Sequence, residues 1–199
     1  MLAICVPVRD TVHSAFAFCL AQLTANLTHN NIKYQLFFEN GSLIADQRYR
    51  LVVNALERSA TEILWLDSDM IFPADVYRKL CKWDLDVVAC MYSTRTLPYR
   101  NTAFLSDSMQ DTLNETTGIH RVYAMGMGCM LTKTQIFKTV PQPWFNTRWD
   151  YQTNSFSGED IYFCDQLSNY DYEVFVDCDL SKQCSHIGTK NVKLENINV

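Results

Sequence analysis

The chain has no apolar run approaching the roughly 18 residues of a membrane span, no excess of basic residues and no internal repeat. The first absence excludes a transmembrane helix. The second argues against nucleic-acid binding, which calls for a basic face: 17 Lys and Arg stand against 22 Asp and Glu, for a net charge of −5. The third sets aside solenoids and propellers. Also missing is a basic leader or cleavage site ahead of the first apolar segment, Leu2–Val8, so a cytoplasmic location is expected. Without a secretory signal the triplets at Asn26, Asn40 and Asn114 that match the glycosylation pattern read as chance.

The chain has 199 residues, 48% apolar and 20% charged, the composition of one ordinary globular domain. Its eight cysteines fall mostly inside apolar runs (Cys5, Cys19, Cys90, Cys129, Cys164), where they act as small core residues in a reducing compartment. Cys178, Cys184 and His186 lack the two-to-four-residue ligand spacing of a zinc site and supply no fourth ligand.

Strand and helix signals alternate through the first half, the signature of βαβ units and a mostly parallel sheet of the α/β class. After the Leu2–Val8 strand, Ser14 can cap a helix with Phe16, Leu20, Leu23 and Leu27 on one face. A strand over Tyr34–Phe38, a turn at Asn40-Gly41, a helix from Ile44 to Ala60 and a strand over Ile63–Leu66 follow. Pro73 suits the first turn of a helix carrying Val76, Leu80 and Trp83, and Leu85–Tyr92 reads as the next strand. Between Ser93 and Ile119 no period persists, which reads as a loop or an irregular hairpin. Order returns over Val122–Leu131, broken by Gly126 and Gly128, where backbone approaches a ligand closely or kinks the strand. A helix opens near Gly158, a short strand covers Glu173–Val176, and Gly188–Val199 reads as a fraying terminus or the start of a linker to a further domain.

Chemistry concentrates where Ile63-Leu64-Trp65-Leu66 ends abruptly in Asp67-Ser68-Asp69. In extended backbone residues i and i+2 point the same way, so both carboxylates face one spot beyond the carboxyl end of a strand, where open α/β sheets bind ligands. Two hard oxygen donors there suit Mg²⁺ or Mn²⁺, with substrate phosphates completing the shell. The same acids can also simply open a solvated loop. On the 44–60 helix Arg48 falls at the centre of the stripe formed by Ile44, Leu51, Val52 and Ala55, while Arg50 points away. An inward arginine either snorkels to water or presents its donor fork to a carboxylate or phosphate. Glu159 and Asp160 form a second acidic pair in a first helical turn; Ser157 with Asp160 equally reads as a capping arrangement.

Taken in order, Pro7-Val8-Arg9, Arg48, Asp67-Ser68-Asp69, Gly126 to Gly128, Pro143-Trp144-Phe145, Gly158-Glu159-Asp160 and His186-Ile187-Gly188 resemble a GT-A-fold, nucleotide-sugar-dependent glycosyltransferase. They are particularly similar to the small single-domain DXD enzymes of large DNA viruses, phages and bacteria. The resemblance covers residues 1–188, with 189–199 as tail or linker start. It implies a single, mostly parallel mixed sheet flanked by helices, with metal at Asp67, Asp69 and His186. Pro7, Val8, Arg9, Glu39, Arg48, Asp67 and Ser68 would serve the nucleotide, and Asp160, beside Glu159, the proton transfer. Trp144, Trp149, Gly126 and Gly128 would meet the acceptor, a glycan or glycoprotein. The family commonly has asparagine after the arginine; Tyr49 stands here.

The chemistry coheres without the name. Departure of a diphosphate builds negative charge that a metal neutralises, and a weakly acidic hydroxyl needs a carboxylate to accept its proton. A haloacid-dehalogenase-type phosphatase would use Asp67 as nucleophile and Asp69 as acid, but that motif normally follows the first strand and continues to Thr or Val where Ile71 stands. A catalytically silent nucleotide-sugar-binding module is the non-enzyme alternative.

Overall fold

A computed structural model of the chain describes residues 1–94, 98–150, 154–188 and 191–192. Strand β1 (Leu2–Val8) is buried along its whole length, and its side chains alternate between two cores. Ala3 and Cys5 enter one, Leu2, Ile4, Val6 and Val8 the other, the pattern of a strand covered on both faces. Helix α1 (Ser14–His29) packs Phe16, Leu20, Leu23 and Leu27 on one face. Its N-cap is His13, whose Nδ1 accepts from the Ala15 amide, rather than Ser14, which is already helical. Strand β2 (Tyr34–Asn40) leads to helix α2 (Ile44–Glu57), which covers the opposite face and stops before Ser59 takes a left-handed φ of 56°.

Strands β3 (Glu62–Leu66) and β4 (Met70–Ile71) flank the acidic turn. Helix α3 (Val76–Cys81) is shorter than the Pro73 signal implied: Pro73 stands in the preceding turn, and Trp83 lies beyond the helix, where its Nε1 donates to Asp177. Strand β5 (Val87–Ala89) is the trimmed remnant of the expected 85–92 strand. The irregular stretch that follows is pinned by β6 (Ala103–Phe104) and by bridges Ser93–Asn101 and Phe104–Thr112. Next come β7 (Ile119–Val122), β8 (Ala124–Met125), β9 (Cys129–Lys133), α4 (Ile136–Thr139) and the ribbon β10 (Arg148–Asp150) with β11 (Ser155–Ser157). Helix α5 (Glu159–Asn169), β12 (Val174–Asp177), α6 (Cys178–Ser181), β13 (Ser185–Ile187) and β14 (Asn191–Val192) complete the described chain.

The main sheet has seven strands in the order β2-β1-β3-β9-β5-β12-β7. Strands β1, β2, β3, β5 and β12 run one way and β9 and β7 the other, so the sheet is mixed and mostly parallel as expected. The reversed β9 lies between β3 and β5, bringing Gly128 alongside the acidic turn. A small antiparallel sheet β14-β13-β4 folds His186 against Met70. Asn191 and Val192 pair with Ile187 and His186; the rest of the expected tail, 189–190 and 193–199, lies outside the described residues. Among the described residues no helix is long and apolar enough to cross a membrane.

Candidate active site

Strand β3 ends at Leu66, and residues 67–70 form a turn closed by the Met70 amide donating to the Asp67 carbonyl at 3.0 Å. The strand's alternation of side chains therefore stops at Leu66, because the backbone beyond it is no longer extended. The two carboxylates go to different partners, Asp67 to Arg48 and Asp69 to His186. The turn itself is tied down on several sides. The Asp67 amide donates to the Gly128 carbonyl (3.0 Å), the Ser68 carbonyl accepts from the His13 amide (3.3 Å), and the Asp69 carbonyl accepts from the Ile187 amide (2.7 Å).

Arg48 is buried, 2% exposed, on the inward stripe of α2. Its Nε donates to Glu159 Oε1 and its Nη2 to Asp67 Oδ1, both at 2.9 Å, with the guanidinium 5.6 Å from the Trp65 ring centroid. Burial alone would lower its pKa, but Asp67 and Glu159 outweigh that and hold it above its usual value. Nη1 finds no hydrogen-bond partner among the described residues. Arg50, by contrast, is half in solvent and pairs with Asp46 one turn back.

The acidic pair opening α5 divides by environment. Glu159 is buried and committed to Arg48, so the expectation that it shares in catalysis gives way to a charge-balancing role. Asp160 accepts a hydrogen bond from the Ile161 amide at 2.8 Å. Burial first, and then the neighbouring Glu159 charge, push its carboxyl up to about 6 against the pull of Ile161 and Arg48. The Ser157–Asp160 cap is not formed; Gly158 is the N-cap, with no side-chain capping bond. A Cβ on Gly158 would lie 2.5 Å from Asp160 Oδ1, so the glycine makes room for the carboxylate.

His186 is buried; its Nε2 lies 3.2 Å from Asp69 Oδ1 and its Nδ1 3.3 Å from the Ser93 carbonyl, with the ring edge-on to Tyr92. Tyr92 was hidden in the sequence as the last residue of an apolar run. Its hydroxyl accepts from the Gly128 amide at 2.8 Å and fills the space over both glycines. A Cβ would stand 2.5 Å from that oxygen on Gly126 and 2.6 Å on Gly128. The close approach that these glycines permit is to the Tyr92 hydroxyl.

At the carboxyl ends of β1 and β2, buried Pro7 and Val8 pair in register with Glu39 and Asn40. Gln47, unnoticed in the sequence, closes this corner by donating to the carbonyls of Val8, Glu39 and Gly41. Glu39 accepts from Asn54 at 2.9 Å, and Arg9 stands in solvent beside Asp10. Trp144 departs from expectation: it is buried, stacks on Tyr49, meets Phe137 edge-on, and donates Nε1 to the Val140 carbonyl, so no face is left for a sugar. Trp149 is 40% exposed on the ribbon and meets the more exposed Phe156 edge-on at 5.1 Å.

Asp67, Asp69 and His186 do not form a closed three-ligand cage. Two oxygen donors and an imidazole in an open arrangement fit a divalent ion that completes its shell with phosphate, Mn²⁺ more readily than Mg²⁺ because of the imidazole. A cavity of about 300 Å³ lined by Arg121, Tyr123, Tyr172 and Glu173 involves none of these residues.

No protein-family model matches the chain, and no curated protein matches it in sequence. Solved structures do. A197 from STIV superposes with a TM-score of 0.63 at 20% identity, covering 94% of this chain and 85% of that one. Drosophila beta-1,4-galactosyltransferase 7, in complex with manganese, UDP-Gal and xylobiose, gives 0.54 at 13% identity over 94% of this chain and 71% of that one. The 4-diphosphocytidyl-2C-methyl-D-erythritol synthase of Anaerococcus prevotii gives 0.52 at 12% identity over 100% and 92%. The chain therefore has a GT-A-like fold.

Proposed function

We propose that the chain is a divalent-metal-dependent glycosyltransferase that moves a sugar from a nucleoside-diphosphate sugar to an acceptor hydroxyl. The observation that carries this reading is the division of labour among the acids at the carboxyl edge of the sheet. Asp67 and Glu159 share the Arg48 guanidinium, and Asp69 is joined to His186. Of these four acids, Asp160 combines an elevated pKa with no hydrogen bond to a cationic side chain among the described residues. Two chemically distinct jobs are thereby separated: holding a cation and taking a proton.

Pro7, Val8 and Glu39 line the nucleotide end, with Arg9 free to swing over it and Ser68 beside the phosphates. Asp67, Asp69 and His186 would hold Mn²⁺ or Mg²⁺, which when bound supplies positive charge to the departing diphosphate. Asp160 takes the proton of the attacking hydroxyl as its oxygen bonds to the anomeric carbon. The bond from that carbon to the diphosphate breaks, and the nucleoside diphosphate leaves with the electron pair. One base and one displacement give inversion. Arg48 holds Asp67 and Glu159 through its two 2.9 Å bonds and makes no hydrogen bond to Asp160 among the described residues. The galactosyltransferase bound to manganese, UDP-Gal and xylobiose supports both the cofactor and a glycan acceptor, for which Trp149 offers the exposed aromatic face. All eight cysteines are free thiols, which supports a reducing, cytoplasmic setting.

The phosphatase alternative is disfavoured because its Asp-x-Asp motif normally follows the first strand, whereas here it follows β3. The test is a screen of nucleotide sugars with Mn²⁺, reading nucleoside diphosphate release by slow hydrolysis. Release with one donor class, lost in Asp160→Asn, is expected. Donor binding without release would leave a silent binding module, and phosphate release through an aspartyl-phosphate would revive the phosphatase.

A further inference from the structure

Three thiols converge behind the acidic turn. Cys90 follows β5, Cys129 opens β9, and Cys184 lies between α6 and β13. Their sulfur atoms all lie within 4.8 Å of one another, and Cys129 Sγ is 3.7 Å from Cys90 Sγ. All three are buried. Among the described residues they are the only group of three His, Cys, Asp or Glu side chains whose ligand atoms come this close.

Buried cysteine is ordinarily a small hydrophobe, and others in this chain behave so: Cys5 Sγ faces the Leu51 carbonyl and Cys164 Sγ the Met125 carbonyl, each by itself. Convergence of three from separate segments is different. Sulfurs each about 2.3 Å from a tetrahedral zinc stand about 3.8 Å apart, close to the Cys90–Cys129 separation. We propose that Cys90, Cys129 and Cys184 form a thiolate site for a thiophilic d¹⁰ cation, Zn²⁺ being the representative. Binding replaces three thiol protons, released to solvent, with three sulfur–metal bonds.

The site is orthogonal to the oxygen-rich turn, since soft thiolates select zinc-like ions and carboxylates select Mn²⁺ or Mg²⁺. It joins three segments that carry donor-site residues. Cys90 precedes Tyr92 by two positions, Cys129 follows Gly128, whose carbonyl receives the Asp67 amide, and Cys184 precedes His186 by two. The Cys90 amide donates to the Cys129 carbonyl at 2.9 Å, so two ligands already share a backbone bond. Spacing rules missed the group because its members lie far apart in sequence, and Cys178, the sequence candidate beside Cys184, is not part of it.

The inference stands apart from the transferase reading and is tested without activity. Protein carrying Asp69→Asn, which disables the oxygen site, is loaded with Zn²⁺ under reducing conditions and dialysed. One zinc per chain with a sulfur shell at about 2.3 Å by X-ray absorption is expected. Cys129→Ser and Cys90→Ser should lose it and Cys81→Ser should keep it. Cd²⁺ titration should give a thiolate-to-metal charge-transfer band in the same pattern. Retention of zinc by Cys129→Ser, a shell of oxygen and nitrogen only, or no retained zinc and no Cd²⁺ band would overturn the site. If the serine variants do not fold, the absorption shell of the Asp69→Asn protein decides alone.

Discussion

Replacing Arg48 by methionine should be among the most damaging single changes in this chain. Methionine keeps much of the stem that packs along α2 beneath Trp65, so the loss is electrostatic rather than a cavity. It deletes two charge-assisted hydrogen bonds of 2.9 Å and leaves two carboxylates facing each other across the vacated site. Their side chains are only 12% and 22% exposed for Glu159 and Asp67, so water can rescue neither fully. Removing one partner of a buried pair costs about 3–5 kcal/mol; Asp67 retains some hydration, which places the expectation at about 3–4 kcal/mol. In a domain of this size that lowers Tm by roughly 10 °C. Urea unfolding followed by circular dichroism measures it, with Arg50→Ala, whose guanidinium is in solvent, expected to change nothing measurable. The double variant Arg48→Met/Glu159→Leu should recover part of the loss, because one uncompensated charge is gone. Equal stability of the Arg48→Met and Arg50→Ala variants, or a double variant no better than Arg48→Met, would refute the reasoning.

Asp160→Asn should lower transfer by at least ~10²-fold while raising Tm at pH 8. Its carboxyl is pushed up to about 6 in the fold against about 3.9 for an ordinary Asp, so ionisation penalises the folded state. That penalty sets in as pH rises above about 4, is complete above about 6, and is absent in Asn; a fall in Tm at pH 8 would return Asp160 to a structural role. Wild-type kcat/KM should correspondingly climb through pH about 6. Gly158→Ala should leave stability nearly unchanged yet slow transfer at least ~10-fold, since its methyl displaces Asp160; melting curves beside rates check both. Calorimetry with nucleoside diphosphate and Mn²⁺ should show binding abolished by Asp69→Ala and weakened by Asp67→Ala. Gly128→Ala should cost about 1–3 kcal/mol in denaturant unfolding, because Tyr92 and the His186 ring packed on it must both shift.

Much of this was legible from one dimension. The stripe on α2 exposed Arg48 because a charge at the centre of an apolar period is conspicuous, and the strand before Asp67 announced itself by its composition. Partners were not legible: Glu159 lies 111 residues from Arg48, and no local pattern links them. The partners of Asp67 and Asp69 were not legible, because a strand's period holds only while the backbone stays extended. Trp144 and Trp149 look alike in sequence, and packing against Tyr49 and Phe137 alone separates core from surface. Tyr92, Cys90 and Cys129 were hidden because each looks like ordinary core in its own segment, and Cys184 because its partners lie far away in sequence.

The bracing of the acidic turn divides the site into two kinds of wall. Opening residues 67–70 would break the Asp67–Gly128, Ser68–His13 and Asp69–Ile187 backbone bonds together, so these amides should exchange with solvent only when β3, β9 and β13 come apart as a unit. The β10–β11 ribbon is a two-stranded element of three pairs, joined to the main sheet by no ladder among the described residues and displaying Trp149 and Phe156 outward. Sequence drift in that ribbon leaves the turn's anchors untouched. A lineage built on this frame can therefore vary the ribbon's exposed aromatic face while the braced turn stays fixed.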